Sequence, residues 1–202
     1  PKGVRLHSSY GTGIKNPTLS QLFQQYGRTG PNTDVEPEES IGWDVGVEHT
    51  LIKDRLSLDM TYFNNRLINL IYWDDAGTDT GDDDFYDNLN GTSKIHGLEF
   101  SVKAKPVERL TVSAQYTYTQ AKDPDNERLP RRPAHLASVN LGYKFLDGKA
   151  GTELGIDYNG SQLNRTADPV MLGAFVLVNI AANYKLNRQM KLVGRIDNLF
   201  DT

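Results

Sequence analysis

The chain has 202 residues, 38% of them hydrophobic and 24% charged, with a formal net charge of -4 and no cysteine. These values exclude a disulfide framework and thiolate metal sites, and they give nucleic-acid binding no electrostatic support. No run of eighteen apolar residues occurs, so no transmembrane helix is predicted; a β-barrel escapes that test because half of each strand is polar.

Nine segments alternate between apolar and polar residues, and at their centres the charges fall on the polar phase. Side chains of a β-strand point to opposite faces with period two, so each segment reads as a strand with one apolar and one polar face. The first, 4–15, carries Val4, Leu6 and Tyr10 on one face. The second, 41–49, sets Ile41, Trp43, Val45 and Val47 against Asp44 and Glu48. The third starts near Arg55 and extends as far as Trp73, with Leu56, Leu58, Met60 and Tyr62 opposite Ser57, Asp59 and Thr61. The fourth, 86–105, sets Leu98, Phe100, Val102 and Ala104 against Glu99, Ser101 and Lys103. Beyond Tyr62 and before Leu98 the phase slips, because Arg66 and Lys94 land on the apolar side. Those ends are expected to project above any lipid.

The fifth, 110–119, is the cleanest: Leu110, Val112, Ala114, Tyr116 and Tyr118 alternate with Thr111, Ser113, Gln115, Thr117 and Thr119. In the sixth, Ala137, Val139, Leu141, Tyr143 and Phe145 oppose Ser138, Asn140 and Lys144. The seventh, 153–159, opposes Leu154, Ile156 and Tyr158 to Glu153 and Asp157. The eighth, 176–185, opposes Val176, Val178 and Ile180 to Asn179 and Asn183, and the ninth, 191–197, opposes Leu192 and Ile196 to Lys191, Arg195 and Asp197.

The connections alternate in length. Short turns lie at 52–54, 106–109, 147–149 and 187–189; long segments lie at 16–40, 74–85, 122–132 and 162–172. Short turns on one rim and long loops on the other are the asymmetry of outer-membrane barrels. Aromatics on the apolar phase gather near the strand ends: Trp43, Tyr116, Tyr118 and Tyr158 near outer ends, Tyr143, Phe145 and Tyr184 near inner ends. Two aromatic belts at the lipid–water boundaries have this form. The fold class expected is therefore all-β, an antiparallel transmembrane barrel. Single-chain bacterial barrels have even strand numbers, and the chain opens inside a strand and stops just after one, so it is expected to be an incomplete part of a larger barrel.

Three segments stand in a telling order. Tyr10-Gly11-Thr12-Gly13-Ile14-Lys15-Asn16-Pro17 leads into Thr18-Leu19-Ser20-Gln21-Leu22-Phe23; Val35-Glu36-Pro37-Glu38-Glu39-Ser40 follows, with acidic Asp44 beyond; Asn198-Leu199-Phe200-Asp201 closes the chain. Together they resemble the barrel signature of TonB-dependent outer-membrane receptors, over essentially the whole chain. Leu129-Pro130-Arg131-Arg132-Pro133 and Ile95-His96-Gly97-Leu98-Glu99 are most similar to the family's cobalamin receptors, although siderophore receptors share much of the pattern. The resemblance implies that 1–202 is the C-terminal portion of a barrel of about 22 strands, with the plug, its TonB box, the N-terminal strands and the last strand outside this sequence.

Several residues are candidates for contact with a ligand. Tyr72, Trp73 and Tyr86 flank the acidic loop 74–84, and Tyr26 and Arg28 lie in the first long loop. Aromatics at a loop base can grip a flat ligand face; the competing reading, favoured for Tyr72, Trp73 and Tyr86, is an outer girdle. Arg131 and Arg132 either attract anions at the mouth or, more simply, pair with wall carboxylates such as Glu99 or Asp157. Glu36, Glu38 and Glu39 are expected to cap and solvate the turn around Pro37. The acidic loop does not meet the EF-hand pattern and reads first as a solvated tip, with weak cation binding the alternative.

The four histidines are scattered without metal-ligand spacing, and no nucleophile–base–acid set is present. No metal site, no cofactor and no enzymatic activity are expected. The resemblance implies uptake of a scarce ligand, cobalamin or a ferric siderophore, across the bacterial outer membrane, with TonB acting through the plug and outer-membrane lipid around the wall. Two alternatives remain: a soluble carbohydrate-binding β-sandwich, in which the apolar phase would converge on a dry core, and a passive porin fragment.

Overall fold

The computed structural model describes residues 3–25, 30–74, 85–164 and 170–201. In chain order the elements are β1 (Val4–Lys15), α1 (Leu19–Phe23), β2 (Glu38–Ile52), β3 (Leu56–Ile68), β4 (Ile71–Asp74), β5 (Phe85–Asn88), β6 (Thr92–Val107), β7 (Leu110–Lys122), β8 (His135–Phe145), β9 (Ala150–Asn159), β10 (Gln162–Leu163), β11 (Met171–Leu172), β12 (Phe175–Lys185) and β13 (Lys191–Ile196). Nine of them form one sheet in the order β1-β2-β3-β6-β7-β8-β9-β12-β13. Every neighbouring pair is antiparallel. The strands are the nine that the alternation predicts, several of them longer: β2, β7 and β9 run past 41–49, 110–119 and 153–159.

The two longest predicted strands differ in one respect. The third stops at Ile68 because Asn69 adopts φ 56, and the fourth starts at Thr92 because Gly91 adopts φ 121. Positive φ breaks an extended ladder, and Asn and Gly tolerate it best. Residues 71–74 and 85–88 therefore leave the main sheet and pair with each other as the separate β4–β5 hairpin.

The turns on one rim are tight. Between β2 and β3 the Arg55 N–H donates to the Ile52 carbonyl at 3.0 Å. Between β8 and β9, Leu146, Asp147 and Gly148 all carry positive φ. Between β12 and β13 the Asn187 carboxamide oxygen accepts from the Gln189 and Met190 N–H groups at 2.8 and 2.9 Å. On the other rim, α1 begins at a capping box, in which Thr18 and Gln21 satisfy each other's backbone N–H groups, and a hairpin tip at 123–128 closes through the Lys122–Arg128 bridge.

The sheet has no dry core. Among the described residues the buried apolar side chains are Val35, Ala121, Leu129 and Ala150, all small or medium in size and none forming a layer. Leu6, Tyr10, Trp43, Val45, Met60, Phe100, Tyr116, Tyr158 and Leu192, all on the apolar phase, are exposed. The accessible surface is 13784 Å², against about 9500 Å² for a globular monomer of this mass. Val112, Val139, Ile156 and Val178 do not converge: each stays partly exposed on the same side of one sheet. The sandwich alternative fails on that placement. No helix among the described residues is long and apolar enough to cross a membrane.

Aromatic contacts mark both ends of the apolar face. Trp43 and Tyr62 meet at 5.5 Å between ring centroids, and Tyr118 lies 5.3 Å from the ring of His135, whose Nδ1 is 2.7 Å from the Tyr116 hydroxyl. At the opposite end Tyr143 and Phe145 stack at 6.3 Å. Offset and tilted ring pairs are the favoured arrangements.

Candidate functional site

The polar face of the sheet carries a connected set of side chains. Arg5 Nε donates to Glu48 at 2.9 Å, and Ser9 bonds Asp44. His7 Nε2 lies 3.0 Å from Asp59 Oδ2, although β1 and β3 are separated by β2. The imidazole reaches across because the residue beneath it is Gly46, where a Cβ would stand 2.3 Å from His7 Cε1. Thr61 donates to the other Asp59 oxygen at 3.1 Å. Further along the sheet Asn179 donates to Asp157 at 3.3 Å. A recess lined by Glu48, Arg55, Lys103, Asn140 and Glu153 lies at the short-turn rim. None of the sequence candidates borders it.

The candidates gather at the long-loop rim. In the β4–β5 hairpin, Tyr72 pairs with Asp87 and Trp73 with Tyr86. Directly opposed residues share a face, so Trp73 and Tyr86 point to one side while Tyr72, Asp74, Phe85 and Asp87 point to the other. Trp73 and Tyr86 pack edge to face, 4.9 Å apart at 77°. Trp73 remains 39% exposed, so this pair presents an apolar face at the rim. On the reverse side the Tyr72 hydroxyl donates to Asp74 Oδ2 at 3.1 Å. Burial first, then the negative charge of Asp74 and its hydrogen bond, raise the Tyr72 phenol from 10.0 to about 12. A phenol in that setting stays protonated and neutral.

The hairpin is fixed at its base. Asn88 donates to the carbonyls of Glu36 and Asn69 at 3.0 and 2.7 Å and accepts from the Glu36 N–H at 2.7 Å. Asn69 donates to the Glu36 carboxylate at 2.7 Å. Glu38 accepts from the Ile71 N–H at 3.1 Å and from Lys15 Nζ at 2.9 Å. Glu36 and Glu38 thus tie together three separate segments instead of solvating a turn, while Val35 is buried at 6% exposure. Asn32 donates to the Tyr86 carbonyl at 2.9 Å, which brings the first long loop against the aromatic pair.

Tyr26 and Arg28 lie outside the described residues, as does 75–84 of the acidic loop. Among the described residues no group of three or more His, Asp or Glu side chains could hold a metal ion. Arg131 and Arg132 do not pair with Glu99 or Asp157. Arg131 takes φ 57 and its N–H donates to the Leu163 carbonyl at 2.6 Å, and Arg132 donates to the Pro130 carbonyl at 3.2 Å. Sequence reasoning missed Asn32, Asn69 and Asn88. The clustering of Asn residues at 64–69 and 87–90 around an aromatic run was the available signal, since Asn favours positive φ and backbone-like bonding.

Comparison with known proteins gives the arrangement a family. A sequence model described as "TonB dependent receptor-like, beta-barrel" matches residues 2–199. The vitamin B12 transporter BtuB of Photobacterium profundum is 29% identical over 202 residues, covering 98% of this chain and 32% of that protein. BtuB of Vibrio vulnificus is 27% identical over 199 residues, covering 98% and 30%. Among solved structures, a mutant of the ferric enterobactin receptor PfeA from Pseudomonas aeruginosa superposes with a TM-score of 0.80 at 20% identity, covering 100% of this chain and 33% of that one. The copper transporter OprC also gives 0.80 at 20% identity, covering 98% and 32%. The chain spans about a third of the length of the curated relatives it matches. Its apolar face is the lipid-facing wall of an outer-membrane barrel, and the chain belongs to the TonB-dependent receptor β-barrel family.

Proposed function

We propose that this chain supplies wall and outer loops to a receptor that takes up a scarce ligand across the bacterial outer membrane, with energy delivered by TonB through a plug encoded outside this sequence. Cobalamin is the ligand favoured, on the likeness to the BtuB relatives; a ferric siderophore is the second reading, on the likeness of fold to PfeA. The observation that carries the proposal is the pinned hairpin. Trp73 and Tyr86 offer a rigid aromatic face at the rim, held by Asn32 and Asn88 to the first long loop. A flat, partly apolar ligand is recognised in this way at low entropic cost, because the contact surface is ordered before binding.

In this reading Trp73 and Tyr86 touch the ligand, and Tyr26 and Arg28 of the first long loop complete the mouth. Tyr72 faces away from the Trp73 pair and acts by stiffening the hairpin. The polar wall, including Arg5–Glu48 and His7–Asp59, lines the path. No chemical step is required of any residue.

The test uses the full-length receptor in its native membrane. Binding of cyanocobalamin and of a ferric catecholate is measured side by side, and uptake is followed with and without TonB. TonB-dependent uptake of the bound ligand supports the reading. Uptake that proceeds unchanged without TonB makes the protein a passive pore and sinks it.

A further inference from the structure

Four cations form one transverse row on the outward face. In β3 the lipid-facing phase runs from Met60 and Tyr62 through Asn64 to Arg66. Arg66 is directly opposite Lys94 of β6, Lys94 is opposite Lys122 of β7, and Lys122 bridges to Arg128. Neighbouring strands lie about 4.8 Å apart, so the four positive side chains stand side by side. The same phase, four residues lower, holds the girdle row of Tyr62, Leu98, Tyr118 and His135.

Like charges directly opposite one another weaken a sheet. Nothing within the described residues neutralises these four: none of them makes an ion pair. Lys122 Nζ donates to the neutral side chain of Asn126 at 2.8 Å. The nearest carboxylate of β2 on this phase is Glu39, one outward-facing position beyond Ile41, the partner of Arg66. Asp123 and Glu127 alternate to the opposite side of the hairpin tip, where Asp123 Oδ1 accepts from the Glu127 N–H at 2.8 Å. Arg66 and Lys94 are exposed.

Height fixes the partner. Four residues of strand span roughly 13 Å, or roughly 10 Å along the membrane normal at the tilt of such barrels. The headgroup zone extends about 5–8 Å beyond the hydrocarbon edge, and long basic side chains bend toward it. A solute passing through the lumen never meets this face. We propose that the Arg66–Lys94–Lys122–Arg128 row binds the phosphate groups of a phosphorylated glycolipid in the outer leaflet. The row is a lipid site on the outer wall, independent of which ligand the receptor carries.

The experiment uses the full-length receptor in detergent, titrated with diphosphorylated lipid A and with its dephosphorylated form and read by native mass spectrometry. Wild type binds the diphosphorylated form, and the binding weakens as salt rises. The variant Arg66→Gln/Lys94→Gln/Lys122→Gln/Arg128→Gln binds it on the order of 1000-fold more weakly, at about 1 kcal/mol per basic side chain near an anionic surface. The set Arg66→Lys/Lys94→Arg/Lys122→Arg/Arg128→Lys keeps wild-type affinity. Heat-modifiable gel mobility verifies the barrel in each variant. Should the glutamine set fail to fold, the salt response of wild type and the single variant Lys94→Gln carry the test. Salt-independent binding, equal affinity for the dephosphorylated lipid, or loss of binding in the charge-conserving set would each overturn the proposal.

Discussion

Asn88 holds Glu36 from both directions, donating to its carbonyl at 3.0 Å and accepting from its N–H at 2.7 Å. The carboxamide imitates a paired backbone residue, and it joins positions far apart in the chain. The long-loop rim therefore has an internal latch, and the aromatic pair sits on the hairpin that the latch fixes.

Asn88→Ala should loosen the rim without unfolding the barrel. Leaving the Glu36 and Asn69 groups without their partner costs about 1–3 kcal/mol locally. Hydrogen exchange should rise at 69–74 and 85–88 and stay unchanged in the wall strands. Protection that is unaltered at the hairpin would show that the latch is redundant.

Trp73→Ala and Tyr86→Ala should weaken ligand binding by about 2 kcal/mol, roughly thirtyfold. Tyr72→Phe should leave affinity close to wild type, because the phenol faces the other side of the hairpin. Titration calorimetry on the full-length receptor distinguishes these. An affinity loss for Tyr72→Phe as large as that for Trp73→Ala would reverse the assignment of faces.

The Tyr72 phenol gives the hairpin a pH limit. Its folded value, about 12, lies above the ordinary 10.0, so the folded form holds its proton more tightly than the unfolded one. The stabilisation is complete below pH 10 and disappears as pH rises through 12. One tyrosine should therefore ionise late in an absorbance titration of tyrosinate, and Tyr72→Phe should delete that step. A titration identical in the two proteins is the contrary result.

Val139→Lys should impair membrane insertion of the full-length protein, by roughly 2–4 kcal/mol near the midplane. Asn140→Lys, on the polar face, should be tolerated. Folding yields into lipid vesicles compare the two, and equal losses would contradict the orientation of β8.

Gly46→Ala should displace His7 from Asp59, since the added methyl occupies the space of the imidazole edge. The expected cost is about 1–3 kcal/mol. In a His7→Ala background the same substitution should cost less, because the ring is gone and only Thr61 Oγ1, 2.5 Å from the added methyl, still has to shift. A double-mutant cycle measures the coupling; additivity would mean that the two sites are independent.

The wall was readable from the sequence because its rule is local. Period-two alternation from Val112 to Tyr118 or from Val139 to Phe145 marks both the strand and the side that faces lipid, with no need of a partner. The rim was not readable in the same way. Leu67 to Trp73 continues an apolar run, and only the positive φ of Asn69 detaches β4 from β3. Asn88 and Glu36 meet across 52 positions, and the Arg66 row exists only once three registers are known. Arg66 and Lys94 stood out in the sequence as charges on the wrong phase; their alignment did not. The sequence singles out Tyr72, Trp73 and Tyr86 as aromatics beside a loop, but their division between two faces depends on the hairpin register.

The surplus of exposed surface has a thermodynamic meaning. An ordinary domain keeps its shape because its own side chains exclude water from an interior. Here the excluded interior is replaced by hydrocarbon outside the sheet, so the energy that orders Leu6, Tyr10, Phe100 and Leu192 resides in the surrounding bilayer. Stability is then a joint property of chain and lipid, and it changes with bilayer thickness and acyl composition. Two membranes can give one sequence two different melting temperatures with every intramolecular contact unchanged.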